Sequence, residues 1–143
     1  MREMTESEWI EFVQAGTRTG KLGVVLPSGK PSVTPVWFLY EDDGVFRFNT
    51  WGMSPKAKAI AAEPRVSLLI DLEEPPYAFV RVEATAHIVD DDPDLLLRTA
   101  TEIGGRYMGA DRADEFGVRN AVDGEVVVEL QPVKVVAVTD MSG

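Results

Sequence analysis

The chain has 143 residues, 45% of them hydrophobic and 27% charged, which suits one soluble domain with a proper core. It has no cysteine and one histidine, which excludes disulfides, thiolate nucleophiles and Cys- or His-rich metal centres. With 24 acids against 14 bases the net charge is −10, so a general nucleic-acid surface is excluded and any anionic ligand must be held by a local basic spot.

No apolar run approaches the roughly 20 residues that span a bilayer. Met1–Glu6 lacks the apolar stretch of a signal peptide. The expectation is a cytoplasmic, single-domain protein over residues 1–143 that binds neither membrane nor nucleic acid.

Thr5, with Glu8 three residues later, has the form of a capping box, and Trp9, Phe12 and Val13 then recur at helical spacing. This predicts a short helix over about 5–15. Leu22–Leu26 is an apolar, β-branched run, followed by turn chemistry at Pro27–Lys30. A second run spans Val33–Tyr40, a turn spans Glu41–Gly44, and a third run spans Val45–Asn49. Three such strands read as an antiparallel meander. Ser54-Pro55 opens a helix over Lys56–Ala62, since Ser is a good N-cap and Pro is favoured at the first helical position. Glu63-Pro64 ends it.

Arg65–Asp71 and Tyr77–Val89 are predicted strands on either side of the turn at Glu73–Pro76. Asp90–Asp92 caps a helix over about Pro93–Met108, and Asp111–Asn120 is predicted to be helical as well. Glu125–Leu130 and Val133–Val138 close the chain as strands, with Gln131-Pro132 as a kink or bulge between them. Roughly seven short strands with few helices suggest a barrel.

The segment Asn49–Lys58 carries the strongest chemical signal. A strand ends, a Gly-containing loop follows and a helix starts, exposing unpaired backbone N–H groups and a partial positive charge. Lys56 lies in that first turn, where a cation is disfavoured unless an anion is present. Lys58 adds a charge on another face of the helix. Thr50 and Ser54 add hydroxyls. Taken alone, this signal favours an ordinary solvated lysine.

Pro35 inside a predicted strand marks an edge or a bulge. Trp37, two residues on, suits a flat ring or, more often, a core or an interface. In an extended strand Tyr77, Phe79 and Arg81 share one face, which suits a cofactor or a subunit interface. His87 has no nucleophile beside it and reads as structural. Arg106 suits a helix C-terminus, or the acid of a ligand.

Taken in order, these residues resemble a known family. They run from Lys21-Leu22-Gly23 through Gly29-Lys30-Pro31, Pro35–Phe38, Ser54-Pro55-Lys56, Asp71 and Pro75–Val80 to Arg106–Gly109 and Pro132–Ala137. The chain resembles the pyridoxamine 5′-phosphate oxidase-like split β-barrel superfamily, and within it the flavin/deazaflavin oxidoreductases described as dependent on coenzyme F-420.

The resemblance implies a mainly β (α+β) fold: a six- to seven-stranded antiparallel split β-barrel with flanking helices. It implies a homodimer with cofactor in clefts between the subunits. Lys56 would hold the cofactor phosphate. Pro35, Val36 and Trp37 with Asn49, Thr50 and Trp51 would flank the ring system, and Tyr77 of the second subunit would complete the pocket. Ser54 and Lys58, from the same helix start, are expected to bind the cofactor as well. Relatives often carry Asn at the position of Ala59, so the resemblance does not carry over any contact from that position to the cofactor tail.

The function implied is hydride transfer from coenzyme F-420 to a small conjugated organic substrate. The alternatives are an FMN-binding pyridoxamine 5′-phosphate oxidase-like protein and a non-catalytic flavin- or haem-binding protein. The absence of a polar catalytic set agrees with chemistry carried by the cofactor, and no catalytic side chain is assigned.

Overall fold

The computed structural model describes residues 1–143. The strands are β1 (Arg2–Glu3), β2 (Gly20–Val25), β3 (Pro31–Val36), β4 (Leu39–Tyr40), β5 (Phe46–Trp51), β6 (Arg65–Leu72), β7 (Ala78–Val89) and β8 (Glu125–Thr139). The helices are α1 (Glu6–Gln14), α2 (Pro55–Ala62), α3 (Pro93–Met108) and α4 (Ala113–Asn120), with a single 3₁₀ turn at Ala110–Arg112. The strands form one antiparallel sheet in the order β3-β2-β6-β7-β8-β5-β4, with β1 added beside β8. The curled sheet and its flanking helices are the split barrel that the resemblance implies.

Period-two burial builds the core. Along β7, Ala78, Val80, Val82, Ala84 and Ala86 are buried, while Arg81, Glu83, Thr85 and His87 face out. Phe38, Phe46, Phe48, Leu22, Leu68, Ile70 and Leu130 are almost wholly removed from solvent and join one cluster with Val13 of α1 and Ile103 of α3. The capping box at Thr5 forms: the Glu8 N–H donates to Thr5 Oγ1, and Glu8 Oε1 accepts from the Thr5 N–H.

Three expectations need correction. Val33–Tyr40 is not one strand; it breaks at Trp37-Phe38. There the Phe38 N–H donates to the Tyr107 hydroxyl (3.3 Å), and the Phe38 carbonyl accepts from Arg106 (2.7 Å). Side chains from α3 thus replace a strand partner.

The first strands therefore form no meander. β2 pairs with β3, whereas β5 pairs with β4 and β8. Lastly, the chain's end is one strand, not two. Ala84 lies opposite Pro132 and Glu83 opposite Lys134, so a bulge at Val133 absorbs the proline without ending β8. Pro35 sits on β3, at one end of the sheet, where its missing N–H costs no ladder bond on the outer side.

Candidate functional site

A cavity of about 270 Å³ opens where the end of β3, the end of β5 and the start of α2 meet the α3–α4 pair. Pro35, Val36, Trp37, Asn49, Thr50 and Lys56 line it, together with Phe48, Ile103 and Asn120. Six of the residues singled out in the sequence thus converge, from three separate segments. Phe48, Ile103 and Asn120 were missed. Ile103 and Asn120 lie far along the chain, and no local pattern marks either of them as lining a site.

The α2 end is built as the sequence suggests. The buried Ser54 caps the helix by accepting the Ala57 N–H on its hydroxyl (3.2 Å), and Pro55 occupies the first turn. The Ser54 and Thr50 hydroxyls share a hydrogen bond of 3.3 Å, and Lys56 Nζ stands 3.5 Å from Thr50 Oγ1. Lys56 is half-buried and lines the cavity, whereas Lys58 is exposed and does not. Asn49 donates through Nδ2 to Glu125 Oε1 (3.0 Å). Partial burial raises the Glu125 carboxyl above its ordinary pKa, against the opposing pull of the Asn49 hydrogen bond and the Lys56 charge.

Trp37 forms the flat wall. Its ring stacks on Tyr107 with centroids 5.0 Å apart and planes 1° from parallel, and Phe116 of α4 meets it at 57°. Tyr107 is locked in turn, donating its hydroxyl to the Arg18 carbonyl (2.9 Å) and accepting the Phe38 N–H. Burial raises the Tyr107 pKa.

Other expected residues lie elsewhere in the protomer. Trp51 is 57% exposed, beyond the cavity wall. Tyr77 does not belong to the strand as expected: β7 starts at Ala78 and Tyr77 takes a positive φ of 54° in the turn before it, so strand alternation does not set its face. It lines a separate outer groove with Phe79, Arg81, Leu69 and Met141, not the cavity that Lys56 lines. Ala59 is fully buried in the core.

Arg106 lies in the last turn of α3, as its helix C-terminal reading expects, and in place of a ligand's acid its guanidinium meets the carbonyls of Gly16 (3.0 Å), Phe38 (2.7 Å) and Val13 (2.8 Å), tying α3 to the loop after α1, with burial lowering its pKa. His87, read as structural, is not part of the core; it is exposed on the outer face of β7, opposite Glu129.

Comparison with known proteins places this geometry. The sequence profile described as pyridoxamine 5′-phosphate oxidase matches residues 6–139, nearly the whole chain. The chain belongs to that family. No curated protein matches it. Among solved structures, family resemblance extends to a conserved hypothetical protein of Mycobacterium tuberculosis, at 26% identity and a TM-score of 0.83, covering 97% of this chain and 87% of that one.

An F-420 reductase is similar at 25% identity and a TM-score of 0.65, covering 87% of this chain and 94% of that one. The haem storage protein HutZ of Vibrio cholerae shares the fold at 18% identity and a TM-score of 0.71, over 100% of both chains. No helix is long and apolar enough to cross a membrane.

Proposed function

We propose that the protein is an oxidoreductase that holds coenzyme F-420 in the cavity between α2, β5 and Trp37 and passes hydride to a small conjugated organic molecule. The observation that carries this reading is the placement of Lys56: a half-buried cation in the first turn of α2, its ammonium meeting only the Thr50 hydroxyl, one cavity away from an aromatic wall. A lysine there is opposed by the helix dipole, and it forms no ion pair within the chain, its charge reaching Glu125 only at longer range, so a bound anion would complete its surroundings.

The residues present fit such a cofactor. Lys56, the Thr50 hydroxyl and the α2 backbone suit a phosphate, and Trp37 suits a ring. When bound, the cofactor supplies the hydride-carrying carbon. The chain's residues supply placement: Trp37, backed by Tyr107, fixes the plane of a ring, and Phe48 and Ile103 give it an apolar floor that excludes water. The proton that accompanies hydride comes from solvent or a hydroxyl, and no side chain is assigned as acid or base.

The similarity to an F-420 reductase favours the deazaflavin, and FMN is the second reading because the family's profile is that of pyridoxamine 5′-phosphate oxidase. A haem-holding role is disfavoured by the position of His87, on the outer face of β7 and outside the cavity. The assembly proposed is a homodimer in which Tyr77 of the partner subunit completes the cofactor cleft. The test is titration of the purified protein with F-420 and with FMN separately, followed by cofactor fluorescence. Saturable binding of F-420 at lower concentration than FMN supports the reading; tighter FMN binding shifts it to the second; binding of neither overturns both.

A further inference from the structure

We propose that Asn120, at the end of α4, reads the imide edge of the bound ring, the C=O/N–H side that flavins and deazaflavins share. The inference rests on the reading of the cavity as a flavin-type site. The other polar side chains of the cavity have other partners or another role: Asn49 donates to Glu125, Thr50 shares a hydrogen bond with Ser54, and Lys56 with Thr50 forms the proposed phosphate end. The half-buried Asn120 amide also lines the cavity, yet it makes no hydrogen bond to the rest of the chain. A carboxamide offers a donor and an acceptor side by side, the complement of an adjacent carbonyl and N–H on a ring edge.

Its helix is also closely packed. A Cβ on Gly104 would stand 2.5 Å from Phe116 Cβ, and one on Gly117 would collide with Thr101 Oγ1, so α3 and α4 approach each other closely through their glycines. Phe116 of the same helix touches Trp37. The element that presents Asn120 is thus held against the wall that would orient the ring, as a recognition residue requires.

The experiment uses the full chain and four probes: FMN and 5-deaza-FMN, each with and without a methyl group on N3. Dissociation constants are measured for the wild type, Asn120→Leu and Asn120→Ser, with circular dichroism to confirm folding. The wild type is expected to prefer the N3–H form of whichever ring it binds by about tenfold, the size of one well-made hydrogen bond. Both variants are expected to lose that preference while still binding the methylated ring. A wild type that binds a ring without preference, or a folded variant that keeps the preference, overturns the assignment of Asn120. If no ring of either kind binds the wild type, the flavin-type reading itself fails, a result distinct from the loss of one preference.

Discussion

Lys56 Nζ lies 3.5 Å from Thr50 Oγ1, which brings the first turn of α2 and the end of strand β5 together around one charge. Lys58, on the same helix, is exposed and outside the cavity. Lys56→Ala is therefore expected to weaken cofactor binding by about 1.5–3 kcal/mol, one charge-assisted contact, and Lys58→Ala to change it little. Titration of both variants checks this, and equal losses would mean that the anion is held elsewhere.

Arg106 is predicted to matter for stability first. Arg106→Met leaves the carbonyls of Gly16, Phe38 and Val13 without their donors and is expected to cost at least about 2 kcal/mol. The urea midpoint reads this directly. A variant of native stability with impaired ligand binding would instead make Arg106 a ligand residue.

Two carboxyls are expected to give opposite pH responses. Hydrogen bonds from Arg47 hold Asp43 below its ordinary value of 3.8. Its contribution is then present above that value and lost as pH falls through the lower folded value. Glu125 is raised by burial above 4.5, so its contribution is present in acid and lost as pH rises through the folded value. The melting temperature of Asp43→Asn should fall short of wild type at neutral pH and rejoin it in acid. That of Glu125→Gln should gain on wild type as pH rises. Differences that do not change with pH would refute both assignments.

The outer groove of Tyr77, Phe79, Leu69 and Met141 leaves large apolar side chains open on one protomer, with Tyr77 at 42% exposure. A homodimer burying at least about 2,000 Å² in total is expected. Light scattering at micromolar concentration checks it, and a monomer would remove Tyr77 from the proposed cleft.

Local chemistry made much of this molecule legible in advance. The Thr5 capping box, the Ser54-Pro55 helix start and the span Pro93–Met108 follow from side chains that act within a few residues of themselves. The break at Trp37-Phe38 was not legible, because its cause is the hydroxyl of Tyr107 and the guanidinium of Arg106, some seventy residues away in the chain. The same holds for the site. Lys56 and Trp37 carried signals of their own, a misplaced charge and an aromatic two residues after a strand proline. Asn120 and Ile103 carried none and became part of the cavity only through the packing of α3 and α4.

The most direct test of the proposed site is the emission of Trp37 alone, in a protein whose other two tryptophans are replaced (Trp9→Phe, Trp51→Phe), titrated with F-420. Trp37 lines the cavity beside Lys56, so a ring bound there must lie close enough to quench it. The account predicts saturable quenching that follows cofactor binding and that Lys56→Ala shifts to higher concentration. Cofactor that binds while Trp37 emission stays unchanged would contradict it.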